Sequence, residues 1–181
     1  RIGGYRNFVN KLWNASRFAL MNLEDFDPST ADLNRFELSL ADQWILDRFA
    51  CTAKDANKSL TDYKFNDVAS TLYSFTWHEF CDWYVELVKD DLYGEDADAR
   101  LRVQTVLYTV LEGLLRLLHP VIPFVTEDIW QVLPGKRPAV SIMQADYPQG
   151  GFVEVDSAAV GKMDLLMDVI RAIRNVRGEL D

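Results

Sequence analysis

From Tyr5 to Leu23, apolar side chains return every three or four positions. Wound at about 100° per residue, Tyr5, Phe8, Val9, Leu12, Trp13, Ser16, Ala19, Leu20 and Leu23 share one broad arc, the face a helix buries. The spacing predicts a helix from about Gly4 to Leu23, ended by the turn-forming cluster Asp27-Pro28-Ser29. Asn7, Lys11, Asn14 and Phe18 fall on the other side, with Asn10 and Arg17 flanking. Trp13 is therefore expected in the core, and Phe18 in solvent.

After a polar loop, Ser39-Leu-Ala-Asp42 has the form of an N-cap with an acid in the first turn. It opens a second helix carrying Trp44, Ile45, Phe49, Ala53, Ala56 and Leu60. The pattern breaks near Tyr63, and Asn66 or Asp67 is placed to cap a third helix reaching about Lys89. Leu72, Phe75, Trp77, Phe80, Trp83, Tyr84 and Leu87 make that helix apolar on most sides, which suits the middle of a bundle. A fourth helix spans about Ala97 to Leu118, Pro120 and Pro123 end it, and a shorter one runs from Phe124 to Leu133. Residues 134–156 are rich in Pro and Gly and contain one extended run, Ala139 to Met143, read as a surface excursion with a possible short strand. A last helix covers Ser157 to about Arg177. The fold class is all-α: a bundle of five or six helices, with residues 1–133 as its main body, the excursion at 134–156 and the last helix within 157–181.

Composition narrows the function classes. At 181 residues and 49% hydrophobic the chain has the means for a sizeable core, and no apolar run nears the 18 residues of a membrane span. Its first and last residues, Arg1 and Asp181, give it the look of a piece of something longer. Cys51 and Cys81 show no disulfide-framework spacing, so a reducing cytoplasm is the expected location. A net charge of −9 argues against a general nucleic-acid binder. Residues 1–23, however, hold Arg1, Arg6, Lys11 and Arg17 and no acid, which confines any polyanion-binding face to a small area. The acidic remainder would repel misplaced phosphates and so favour specificity over bulk affinity.

Candidate chemistry is sparse. The glycines form neither a dinucleotide fingerprint nor a Walker-type loop, and no nucleophile elbow is present. His78 and Cys81, three apart, are half of a zinc site at most, needing Cys51, His119 or carboxylates to complete it; the plainer reading is a buried thiol beside a hydrogen-bonded imidazole, and no metal is expected. Glu79, Asp82 and Glu86 share one side of the third helix. They read as acid–base groups or, in the absence of a nucleophile, as a salt-bridged edge. Arg171, Arg174 and Arg177 make a stripe open to two readings, phosphate contact or a solvated face. Phe18, among amides and cations, either stacks on a nucleic-acid base, worth roughly 1–3 kcal/mol, or packs under the loop that follows.

A resemblance decides between several of these. Gly4-Tyr-Arg-Asn-Phe-Val-Asn-Lys-Leu-Trp-Asn-Ala-Ser-Arg-Phe18 resembles the opening helix of the anticodon-binding domain of valyl-tRNA synthetases. Leu40-Ala-Asp-Gln-Trp-Ile-Leu46, Glu79-Phe-Cys-Asp-Trp-Tyr84, Leu114-Leu-Arg-Leu-Leu-His-Pro-Val-Ile-Pro-Phe124 and Val169-Ile-Arg-Ala-Ile-Arg-Asn-Val-Arg177 continue the likeness in order. Related synthetases for other branched amino acids share several blocks, while the Glu79–Tyr84 and Arg174–Arg177 blocks are similar to the valyl branch in particular. The alternatives are the isoleucyl relative and, from another class, a helical protein-interaction domain.

The resemblance implies a part in ATP-dependent attachment of valine to its tRNA. The His-Ile-Gly-His-type and Lys-Met-Ser-Lys-Ser-type signatures are absent, so this segment is expected to hold the anticodon arm and do no chemistry. ATP and magnesium would belong to the full-length enzyme, with no cofactor in this segment. The expected partners are the tRNA for valine and the catalytic and editing domains of the same full-length chain. Carried over position by position, the family's anticodon contacts fall on Lys11, Arg17 and Phe18, with Asn14 beside them, and on Val85 and Glu86 in the third helix. Val85 is shorter than the leucine the family pattern has there. Phe18 would stack on a loop base, Lys11 and Arg17 would meet phosphates or base edges, and Glu86 would accept from a base amino group. Arg6, Arg171 and Arg174 are candidate phosphate contacts.

Overall fold

Ser39 and Asp42 close a capping box at the start of a long helix. The Ser39 hydroxyl accepts the Asp42 N–H at 3.1 Å, and the Asp42 carboxylate accepts the Ser39 N–H at 3.2 Å. That helix is the second of an all-α bundle. The computed structural model describes residues 2–136 and 139–180, in which α1 spans Ile2–Asn22, α2 Leu40–Thr61 and α3 Phe65–Ser74. A π-helical stretch, Phe75–Tyr84, carries α3 into the single turn α4, Val85–Leu87. Helix α5, Lys89–Tyr93, follows, then α6 (Ala97–Leu118), α7 (Pro123–Val132) and α8 (Ser157–Leu180). Arg1 lies outside the described residues.

The core runs along α6, where Val103, Val106, Leu107, Val110, Leu111, Leu114 and Leu118 are buried, and meets Trp44, Ile45, Phe49, Ala53 and Ala56 of α2. Gly113 permits this close approach: a Cβ there would lie 2.7 Å from the ring of Phe49 and 2.9 Å from that of Phe152. Phe152 stacks on Phe49 at 4.7 Å, so the excursion 134–156 is pinned across α2 and α6. Asn57 donates to the Pro148 carbonyl and Arg116 to the Asp146 carbonyl, both at 2.7 Å, and hold it further.

Two local expectations fail. The run at Ala139–Met143 forms no strand; no described residue is in a strand, and Ile142–Gln144 is a 3-10 turn. Glu127 explains this, because its carboxylate takes the Ser141 hydroxyl at 2.8 Å and the Ile142 N–H at 3.2 Å, leaving no need of a partner strand. The third helix does not begin at an Asn66 or Asp67 cap. Tyr63 turns the chain at φ 58° and the helix starts at Phe65 without a side-chain cap.

The π stretch departs most from a regular helix. Buried residues recur there at a spacing of five, Phe75–Phe80–Val85 and Thr76–Cys81, matching hydrogen bonds that reach five residues back. The Val85 N–H donates to the Phe80 carbonyl, so the stretch ends where Val85 and Glu86 begin.

Candidate nucleic-acid interface

Helix α1 packs against the π stretch, and the seam between them opens into a cleft at Val85. Lys11, Asn14, Ala15 and Phe18 of α1 line one side; Cys81, Val85, Glu86 and Lys89 line the other. The volume is about 280 Å³, short of the roughly 300–1,000 Å³ of enclosed small-molecule sites. It suits one flat group entering from solvent.

The buried stripe of α1 comprises Phe8, Leu12, Ala15, Ser16, Ala19 and Asn22 and continues to Leu23 just past its end. Compared with the arc expected from sequence, it is rotated by about 50° toward Lys11 and Phe18. Three corrections follow. Trp13 is 44% exposed rather than core. Tyr5 is 74% exposed because it lies a turn before the packing begins at Phe8. Phe18 is not a solvent-facing ring: it is half-buried against the core, with its carbonyl accepting from Asn22 at 2.8 Å.

Besides the core, a second ring and a cation meet Phe18 among the described residues. Tyr93 meets it edge to face at 6.5 Å and 85°, and the Lys89 ammonium lies 5.7 Å from its centroid. Lys89 is also gripped by both oxygens of Glu86, at 2.8 and 2.7 Å. Lys11 is likewise engaged. It is paired with Asp82, and its ammonium lies 4.1 Å from the centroid of Trp77. His78 Nδ1 faces the same Asp82 carboxylate at 3.5 Å. Both lysines of the cleft thus begin neutralised by carboxylates, and a polyanion must exchange those partners. In the wall opposite α1, burial pushes the Cys81 thiol up to about 12, so it contributes no charge near neutral pH.

Five sequence-derived positions, Lys11, Asn14, Phe18, Val85 and Glu86, therefore share one cleft. Val85 is buried in its wall and Asn14 exposed on its rim. Arg17 is not part of it; it is exposed and lines a separate hollow with Leu20, Met21, Glu24, Val132 and Pro134. Arg6 is exposed near the start of α1, away from the lining residues. Arg171 and Arg174 lie outside the cleft as well, their guanidinium groups 5.3 and 5.2 Å from the centroid of Trp83. Arg171 also bonds Asp168 at 2.9 Å.

The carboxylates suspected of acid–base work are all held by cations: Glu79 by Arg48 in a two-point bond at 3.1 Å, Asp82 by Lys11 and Glu86 by Lys89. Among the described residues, no three His, Cys, Asp or Glu side chains gather to hold a metal, and no helix is long and apolar enough to cross a membrane. Sequence reasoning missed Lys89 and Tyr93. Their signal was available: they sit three and seven residues past Glu86, the spacing that returns to one helix face.

Comparison with known proteins gives the family. A family model described as the anticodon-binding domain of tRNA ligase matches residues 42–181, which leaves α1 outside its span. Among curated relatives, a valine–tRNA ligase of Syntrophotalea carbinolica is 63% identical over 181 residues and one of Geobacter sulfurreducens 58% identical over 181 residues. One of Anoxybacillus flavithermus is 46% identical over 175 residues. These alignments cover 100%, 100% and 97% of this chain, the first two therefore including α1, but only 20% of each relative. The chain thus spans about one fifth of the length of the curated relatives it matches, and it belongs to the family of anticodon-binding domains of tRNA ligases.

Proposed function

We propose that this chain is the part of a valine–tRNA ligase that holds the anticodon arm of the tRNA for valine. The observation that carries the reading is the cleft itself: α1 and the end of the π stretch, some seventy residues apart in sequence, bring Lys11, Asn14, Phe18, Val85 and Glu86 together. An unpaired loop base entering there meets the Phe18 ring and the apolar wall of Val85, and Glu86 accepts from its amino group. Lys11 and Lys89 exchange their carboxylate partners for phosphate oxygens. Each exchange replaces an ion pair within the chain with one to the RNA, so the net gain is small and depends on the incoming base satisfying the freed acid. That dependence favours sequence discrimination over bulk affinity.

Arg6 and Arg17, exposed on α1 outside the cleft, serve the loop backbone in this reading, with Arg171 and Arg174 as further phosphate contacts. Valine activation, with its ATP and magnesium, is assigned to the catalytic domain of the full-length chain, with an editing domain beside it and the cytoplasm as compartment.

The test is a fluorescence titration of the full-length chain with the anticodon stem-loop of the tRNA for valine, repeated at several salt concentrations. Affinity is expected to fall as salt rises and to drop at least tenfold when the central anticodon base is changed. Equal binding of valine and isoleucine stem-loops, or binding indifferent to salt, would overturn the reading.

A further inference from the structure

Beside the cleft, next to Phe18, the more exposed aromatic ring is that of Tyr93. Tyr93 is 68% exposed and closes α5, one helical turn after Lys89. Its place is set by the tight end of that helix: at Gly94, the next residue, a Cβ would lie 2.8 Å from the Asp90 carbonyl oxygen. Tyr5, Tyr63 and Phe124 are comparably exposed, but Tyr93 is the aromatic ring that Phe18 meets among the described residues.

We propose that Tyr93 is a second base-stacking residue, taking the loop base next to the one received by Phe18. This rests on the reading above. The two rings stand at 85°, so one flat base cannot cover both. Two successive bases can, provided the loop splays them apart, as loop bases bound by RNA readers commonly are. Stacking needs an accessible ring face and no particular base edge, and Tyr93 offers such a face where Phe18 is already half covered. Lys89, between Glu86 and Tyr93 on the same run of chain, supplies the cation for the phosphate joining the two bases.

The experiment measures full-length chains with Tyr93→Ala, Tyr93→Leu and Tyr93→Phe against the valine anticodon stem-loop, and against stem-loops made abasic at each loop position in turn. Tyr93→Ala and Tyr93→Leu are expected to bind the native stem-loop about tenfold more weakly, and Tyr93→Phe within twofold of the parent. That loss is expected to vanish with one abasic stem-loop, whose abasic position differs from the one that silences Phe18→Ala. Parental affinity in both Tyr93→Ala and Tyr93→Leu, an equal loss with every abasic stem-loop, or silencing at the same position as Phe18 would overturn the proposal. A parental chain that ignores the native stem-loop would instead remove the reading beneath it, and the proposal with it.

Discussion

The phenol of Tyr84 donates a hydrogen bond to the carboxylate of Asp42 across 2.8 Å in the interior of the bundle. The other Asp42 oxygen takes the Arg102 Nε at 2.8 Å and the Ser39 hydroxyl at 2.7 Å, and Arg102 reaches on to Asp91 at 2.5 Å. One carboxylate thus joins the cap of α2, the end of the π stretch and α6. Tyr84 immediately precedes Val85 and Glu86, so this junction also fixes one wall of the cleft. Asp42→Ala would leave the Arg102 cation without its buried partner and is expected to cost about 3–5 kcal/mol in urea unfolding. Tyr84→Phe removes one bond and leaves Asp42 its other partners, so about 1.5–3 kcal/mol is expected.

The same pair sets an alkaline limit. Burial, followed by the charge and hydrogen bond of Asp42, pushes the Tyr84 phenol well above its ordinary 10.0. The folded state therefore holds that proton more tightly than the unfolded chain. Its contribution to stability is complete below pH 10 and shrinks as pH rises above it. Cys81, raised by burial from 9.0 to about 12, adds an earlier decline of the same sign. Unfolding free energy measured across pH 8–11, a range chosen to bracket roughly both onsets, is expected to fall in the parent. In Cys81→Ala the decline that begins near 9 should shrink to the share of Cys51, and in Tyr84→Phe the part that begins near 10 should shrink to the share of Tyr147, whose phenol burial also raises.

Leu12 and Trp13 are neighbours with opposite fates. Leu12 is fully buried, and Leu12→Ala is expected to cost about 2–5 kcal/mol, whereas the half-open Trp13 should lose under about 1.5 kcal/mol as Ala. Thermal melts of the two variants check the phase of α1.

That phase was only partly legible in the sequence. Hydrophobic periodicity located α1, α2, α6 and α8 because long amphipathic stripes carry the signal. It weighted the large rings of Tyr5 and Trp13 over small Ala15, which is buried and lines the cleft with Cys81. Nor did a 100° period reveal the five-residue spacing of Phe75, Phe80 and Val85, which became visible once the backbone hydrogen bonds were known. The cleft was legible in membership but not in state. The resemblance to valyl-tRNA synthetases grouped Lys11, Phe18 and Glu86, while their occupation by Asp82 and Lys89 is a tertiary fact.

Lys89 therefore makes a discriminating prediction. Under the proposed function, Lys89→Met removes a phosphate partner and leaves Glu86 facing the RNA unpaired. Stem-loop affinity should fall, and the slope of log affinity against log salt should become shallower by about 0.7, the value for one contact to a single strand. Lys89→Arg should keep the slope. Titrations at four salt concentrations measure both, and an unaltered slope in Lys89→Met would restrict Lys89 to holding Glu86.

The two thiols should separate cleanly. Cys81 is buried between α1 and the π stretch, and at about 12 its thiolate population near pH 8 is on the order of 1 in 10,000. Cys51 is partly exposed on α2, and burial, aided by Asp47, raises its pKa as well. Because the thiolate is the nucleophile, a disulfide reagent at pH 8 should label one site per 181-residue chain in a measurable phase, and the second when denaturant opens the bundle. Cys51→Ser should abolish the first phase and Cys81→Ser leave it intact. Rapid labelling of Cys81 in the folded chain would mean that α1 parts from the π stretch on the timescale of the reaction, and the cleft would then have to be described as an opening seam.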